Sequence, residues 1–504
     1  MARCAGVVVG ILFLAHAAAA QFVQQGDKLV GAGAAGAAIQ GYSVAVSADA
    51  GTIIVGGWGD DFSVGAAWVF TLDGGAWSQQ GGKLVGSGAI GAGRQGRAVA
   101  LSADGNTAVV VGPYDDLDTG AAWVYTRSTG AWSQQGTKLV GANAVGSAAQ
   151  GWSVGISADG NTVIVGGLFD RSNTGAAWVF TRSGGVWSQQ GGKLVGANAV
   201  GAAYQGYSVA ISADGNTAIV GGVGDDGFTG AAWVFTRSGG VWSQQGSKLI
   251  GTGASGAASQ GYSAAISADG NTAIVGGYAD GSDVGAAWVF ARSAGVWSQQ
   301  GGKLVGTGAV GHAAQGWSVA ISSNGAAAIV GGPSDDSKSG AAWVYTRGAD
   351  GWRQEGEKLV GTGAVGAANR GAVAISGDGT TVVLGGPYDD SKTGAAWVFS
   401  NPEGCPVPSI TAQPRSQAVR VRQAATLSVT ATSPTEVSYQ WYEGDAGDTS
   451  TPVGGDLSTF TTPALSSTAT FWVRVRNACG FADSAAATIA VGQGVRRRLL
   501  RSGG

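Results

Sequence analysis

The string Gly-Ala-Ala-Trp recurs with its tryptophan at positions 68, 123, 178, 233, 288, 343 and 397, in steps of 55 residues and finally 54. Self-similarity at such a period means that each copy is one supersecondary unit, which buries its apolar face against its neighbours. Each copy holds four short segments of strand character. In the second they read RAVALS (97–102), TAVVVG (107–112), GAAWVYT (120–126) and GAWSQQGTKLVG (130–141). SADGNT between the first two contains Asp-Gly, a strong hairpin signal, and Ser-Thr-Gly joins the third to the fourth. Four strands repeated seven times predict an all-β, seven-bladed β-propeller. A parallel β-helix has much shorter rungs, and a linear array of small domains is the remaining alternative.

A count of segments separates a ring from an array. The fourth segment, QQGxKLVG, appears first at 24–31, before any complete repeat, whereas the seventh copy stops at Ser400 without it. The numbers match if the N-terminal strand completes the last blade and closes the ring, pairing edges that an array would leave open. The GAAW tryptophans alternate with alanine and are expected between facing sheets. A second series, Trp77, Trp132, Trp187, Trp242, Trp297 and Trp352, is expected to seal the outer strand as core. Val23 is read at the place of this tryptophan in the N-terminal copy, which predicts a less well filled closing blade.

Residues 1–20 read as a secretory signal: Arg3, the apolar VVVGILFLAHA and the small-residue site Ala18-Ala19-Ala20. The mature chain would keep Cys405 and Cys479, an even number in an oxidising compartment, expected to form a disulfide bond. Gly 92 would suit disorder, but 44% hydrophobic residues and 18 tryptophans argue for a packed β-rich fold. A net charge of −3, with acids spread through loops, implies no nucleic-acid partner, and no later segment is apolar enough to be a transmembrane span. The expected location is therefore secreted or extracellular, with a cell surface or, in a bacterium, the periplasm as alternatives.

Across 41–400 the repeats resemble the FG-GAP propeller family, whose best-known members form the head of integrin α-subunits. The likeness rests on GYSAAIS (261–267), on VGGP (330–333) and LGGP (384–387), and on GAAWVF after an Asp-containing loop. Kelch repeats share the Gly-Gly and spaced aromatics, and either likeness implies a propeller. Integrin-type repeats often carry a calcium loop with several aspartates in the first hairpin. SADGNT offers one carboxylate (Asp104, Asp159, Asp214, Asp269), and Asn324 replaces it in the sixth copy, so no metal site and no cofactor is expected. The pairs Asp60-Asp61, Asp115-Asp116, Asp225-Asp226, Asp335-Asp336 and Asp389-Asp390 are read chiefly as turn residues bonding backbone, weak cation binding being the alternative.

From about 401 to 491 glycine thins and Thr, Ser and Val rise; the pattern resembles a bacterial-type immunoglobulin-like domain, with Trp441 as core and Phe471 and Val473 in a late strand. The last residues, 492–504, form a basic tail. The domain organisation is thus signal 1–20, propeller 21–400, sandwich 401–491 and tail.

The two histidines are His16 and His312, which excludes a multi-histidine metal site and leaves His312 alone for a triad. No catalytic residue is assigned. The reading is a non-catalytic binding or adhesion protein; a structural coat or matrix protein is the alternative, and a carbohydrate-active enzyme a less favoured one. Copies differ most in the loops between second and third strands, Leu117 among them, where Trp58, Phe62, Tyr114, Phe169, Arg171, Phe228 and Tyr278 are the candidate ligand-binding residues. If the first strand is innermost, as the family likeness implies, these loops share a face with the fourth-to-first connections. An extracellular protein or glycan is the expected partner.

Overall fold

The computed structural model describes residues 22–401, 408–433, 437–477 and 480–492. The signal-like segment 1–20, Cys405, Cys479 and the tail from 493 lie outside the described residues.

Seven four-stranded antiparallel sheets repeat along the chain, an arrangement consistent with a propeller. In the third, Ser153–Ile156, Thr162–Gly167, Ala176–Ser183 and Val186–Gln189 lie side by side in chain order. The seventh sheet takes three strands from Ala372–Ile375, Thr381–Gly386 and Ala395–Ser400 and its fourth from Val23–Gln24. Val23 stands opposite Ser400 and Gln24 opposite Phe399. One step further along this register, Phe22 takes the place that Trp187 holds opposite Arg182. Val23 is therefore not the counterpart of the outer tryptophan: it is exposed, while Phe22 is buried in the core of the seventh sheet. The sequence reading slipped by one residue because it aligned apolar character rather than the Gln-Gln pair.

The core lies between sheets. Ile164 and Val179 of the third meet Val220, Trp233 and Phe235 of the fourth in one cluster. All seven GAAW tryptophans are fully buried, and each indole N–H donates to a backbone carbonyl, as Trp233 does to Ala197 at 2.8 Å. The glycine closing each KLVG lies against that ring: a Cβ on Gly196 would stand 2.2 Å from Trp233, so nothing larger fits. The second tryptophan series packs on the core, as expected, but is only half-buried: Trp187, Trp242 and Trp297 lie against the inter-sheet clusters, and their N–H groups donate to Gln135, Gln190 and Gln245 of the preceding sheet at 3.0 Å. The same glutamine oxygens accept from Arg182, Arg237 and Arg292, whose guanidinium groups stack on the tryptophans. These residues are a polar seam between neighbouring sheets.

First strands are innermost. At their hairpin end the amide of Ala48 donates to Ala103, Ala103 to Ala158, Ala158 to Ala213, Ala213 to Ala268, Ala268 to Ser323, Ser323 to Gly377, and Gly377 back to Ala48, all at 2.9–3.1 Å. In the hairpins the carboxylate of Asp104 accepts from Ser102 Oγ at 2.5 Å and from the amide of Asn106 at 2.9 Å. Burial pushes the Asp104 carboxyl up, but these bonds outweigh it and hold it below the usual range. Its oxygens serve the turn, as expected of a structural aspartate.

In the C-terminal unit Gln417–Arg420, Ala487–Gly492, Ala469–Asn477, Ser438–Glu443 and Pro452–Val453 form one sheet in that order. Trp441 is fully buried opposite Val473, with Phe471 in the same core, as the sequence pattern predicts.

Candidate binding face

The loops between second and third strands are anchored by a buried carboxylate. Asp225 is fully buried; its Oδ1 accepts from the amide of Val200 at 2.7 Å and its Oδ2 meets Lys248 Nζ at 2.5 Å. The same arrangement joins Asp60 to Lys83, Asp115 to Lys138, Asp335 to Lys358 and Asp389 to Lys28. Asp170 and Asp280, which have no acidic neighbour in sequence, pair with Lys193 and Lys303 in the same way. The Asp-Asp pairing in sequence is thus incidental: the first aspartate is the structural one, and the second, such as Asp116 at φ 49, sits exposed on a left-handed turn.

The fourth-to-first connections are held by the motif Gln-Gly-aromatic. Gln205 is fully buried, accepts from the Gly196 amide at 2.5 Å and donates to its carbonyl at 3.0 Å. Gly206 follows with φ 82, where a Cβ would stand 2.2 Å from the Ala176 carbonyl oxygen. This turn delivers the next side chain, Tyr207, to the wall of a cavity lined by the first strands. Its equivalents are Tyr42, Arg97, Trp152, Tyr262 and Trp317, all half-buried around a cavity of about 210 Å³. In the seventh repeat the missing residue is the aromatic itself, since Ala372 pairs with Gly385 as Ser318 pairs with Gly331. The walls below carry serines already engaged between sheets, such as Ser208 Oγ on the Gly261 carbonyl at 2.8 Å.

The rings touch. Tyr207 and Tyr262 have centroids 4.7 Å apart, and Tyr262 lies 4.6 Å from both Tyr278 and Trp317. Burial pushes the Tyr207 phenol up to about 12, partly offset by its hydrogen bond with Tyr262, and burial raises Tyr262 well above its ordinary value. Both stay neutral at physiological pH.

The sequence-predicted residues divide into two groups. Trp58, Tyr114 and Tyr278 are half-buried and pack inward: Trp58 on Tyr42, Tyr278 on Tyr262 and Trp317, Tyr114 against Arg94. Phe169 bridges Trp152 and Tyr204 with 37% of its surface exposed, and Phe228 stacks on Tyr204 at 50%. Phe62 and Leu117 are 95% and 88% exposed, and Arg171 is exposed beside them in kind, without a place in the aromatic cluster. The sequence reading missed the inner ring, although the signal was present as the variable residue of Gln-Gly-x. His312 places Nδ1 2.5 Å from the Ser282 carbonyl, where Ser147 bonds Leu117, and so bridges two loops.

Among the described residues no helix is long and apolar enough to cross a membrane, and no group of three or more His, Cys, Asp or Glu is placed to hold a metal ion.

Comparison with known proteins bears on the C-terminal unit most directly. Solved structures similar to this chain include the GH74 xyloglucanase from Xanthomonas campestris, at 14% identity and TM-score 0.41, covering 81% of this chain and 59% of that one. Saccharomyces cerevisiae Sqt1 aligns at 12% identity and TM-score 0.38 over 94% of this chain and 99% of its own. The β-propeller domain of the Trilobed protease from Pyrococcus furiosus aligns at 11% and 0.31, over 57% and 77%. A search of curated protein sequences finds no match. Residues 406–492 match the family of Ig-like domains described as CHU_C associated. The chain is an all-β protein of seven repeated four-stranded sheets followed by an Ig-like domain.

Proposed function

We propose that this chain is a secreted or cell-surface, non-catalytic binding or adhesion protein. In this reading the N-terminal strand closes a seven-bladed propeller, and one face of that ring holds an extracellular macromolecule. The observation that carries the reading is the inner ring of Tyr42, Trp152, Tyr207, Tyr262 and Trp317 around a cavity, continued outward by Phe169, Tyr204 and Phe228. Seven sheets need no such residues at that position, for Arg97 occupies it in one repeat and nothing does in the last. Large rings with apolar bodies and polar tips are the side chains from which recognition surfaces are built. The cavity wall offers phenols, indoles, hydroxyls and one guanidinium, and no carboxylate or imidazole. That set can hold a ligand but supplies no acid–base pair for hydrolysis, which favours a binder over an enzyme.

The test is a glycan and surface-protein array probed with the mature chain and with the Trp152→Ala/Tyr262→Ala variant. Binding by the former and loss in the latter, at unchanged melting temperature, is expected. Binding carried by residues 405–491 expressed alone, or undiminished in the variant, would overturn the assignment to this face.

A further inference from the structure

Resting on that reading of the face, we infer that its ligand is an anionic glycan, with a sugar carboxylate held by Arg97 at the wall of the central cavity.

The repeat supplies its own control. Where five other copies read IQGY, AQGW, YQGY, SQGY and AQGW and the seventh reads NRGA, the second reads RQGR, residues 94–97. The turn is otherwise the same: Gln95 bonds both polar groups of Gly86, Gly96 has φ 82, and the Arg97 amide donates to the Arg94 carbonyl as Tyr207 does to Tyr204. Neither arginine is therefore required by the fold.

Their surroundings suit an anion. The Arg97 guanidinium lies 4.7 Å from the ring of Tyr42 and 4.2 Å from that of Trp152; Arg94 lies 4.9 Å from Trp58 and 4.2 Å from Tyr114. Stacking engages the faces of a guanidinium and leaves its N–H edge for a planar, bidentate partner. Among the described residues neither side chain makes a hydrogen bond or ion pair, although the exposed Asp61 and Asp116 belong to neighbouring loops. Arg182 in the polar seam shows the contrast, with Nε on Asn161 and Nη1 on Gln135. Two more donors in the same cluster are unanswered: Trp58 Nε1 and Trp152 Nε1 are buried without a hydrogen-bond partner. Buried donors without acceptors are rare in a finished structure. These four groups can only donate, so the ligand they fit is rich in acceptor oxygens and carries negative charge.

Size and layout point to sugar rather than to a folded protein. About 210 Å³ is below the usual range for a drug-sized ligand and suits one ring. From Trp152 the aromatic centroids step outward to Phe169, Tyr204 and Phe228 at 6.0, 6.3 and 6.5 Å, ending at the exposed rim. The first two steps are edge to face and Phe228 stacks on Tyr204, so the run forms a continuous aromatic wall along which a chain of rings can leave when its end occupies the cavity.

The test uses the full mature chain with oligomers of polygalacturonate and of alginate, each beside its carboxyl-reduced counterpart, and a peptide with a free C-terminal carboxylate. At least one acidic oligomer should bind, and carboxyl reduction should weaken it by roughly ten- to a hundred-fold, the range for a charge-assisted contact. Arg97→Tyr, the residue of the first, fourth and fifth repeats, should leave the melting temperature unchanged and make acidic and reduced oligomers bind alike. Equal binding of both forms by the unaltered chain overturns the carboxylate. If Trp152→Ala still abolishes that binding, the face itself stands; if binding survives both substitutions, the face falls too. Failure of every uronate, or Arg97-dependent binding of the peptide alone, overturns the glycan.

Discussion

The indole N–H of Trp77 donates to Gln25 Oε1 at 3.1 Å, the bond that ties Trp187 to Gln135 and Trp242 to Gln190 at the same separation in sequence. Gln25 directly follows the strand paired with the last sheet, and its amide donates to the Val398 carbonyl, so this contact joins first and seventh sheets as the others join neighbours. The same N-terminal segment sends Lys28 to Asp389 at 2.6 Å and accepts the Thr362 amide on Gln24 at 2.7 Å.

Deleting residues 22–30 should therefore unseat a whole outer strand. It removes buried Phe22 and Leu29 and several inter-sheet bonds, a loss on the order of 5 kcal/mol. Thermal unfolding of the truncated chain should fall clearly below that of the mature one; an unchanged midpoint would count against ring closure.

The lysine–aspartate pairs should respond asymmetrically. Lys248→Met leaves the fully buried Asp225 carboxylate with one backbone donor, whereas Asp225→Asn leaves a lysine that is 16% exposed and can reach water. Denaturant titration should show the lysine substitution costing about 3 kcal/mol and the aspartate substitution less. The reverse order would mean that the pair is not a carboxylate-centred anchor.

Gly196→Ala should be more damaging than its one added methyl suggests. The new Cβ would stand 2.2 Å from Trp233, a ring with no free volume to retreat into. Overpacking costs about 1–3 kcal/mol, and here the upper end is expected. Gly192→Ala, where a Cβ meets nothing within 4 Å, is the control and should be near neutral.

High pH should act through buried phenols. Burial raises Tyr207 to about 12 and raises Tyr125, Tyr345 and Tyr262 as well. A group whose folded value lies above its unfolded one contributes stability in full below the unfolded value, about 10, and loses it as pH rises through the folded value. Phenolate absorbance at about pH 11 should show these four still protonated, with the melting temperature declining from about pH 10 upward. Full ionisation at pH 11 without unfolding would contradict their burial.

Much of the architecture was legible because repetition turns one local pattern into seven concordant ones. Asp-Gly hairpins, alternating Ala and Trp and the displaced QQGxKLVG segment gave strand number, order and the role of the N-terminal strand. Three things were not legible. Phe22 was passed over for Val23, since one-residue register is set by hydrogen bonding that apolar character alone does not reveal. The outer tryptophans do pack on the core, but their bonds to a glutamine of the next sheet were hidden, because a half-buried indole has the same sequence as a buried one. The loop aromatics looked like equivalent tips, yet Trp58 and Tyr278 pack inward and Phe62 stands in solvent.

The sequence by itself determined the unit: four strands, its turns, its buried tryptophan and the glycine that ring requires, all matters of short-range geometry and apolar patterning. The tertiary structure decided what the seven units make between them. Tyr42, Arg97, Trp152, Tyr207, Tyr262 and Trp317 are 55 residues apart along the chain and meet because successive first strands turn about one axis. The variable residue of Gln-Gly-x marks each position in the sequence, but that the six converge depends on rotation between sheets, so the cluster and its lone arginine became visible when the sheets were set side by side.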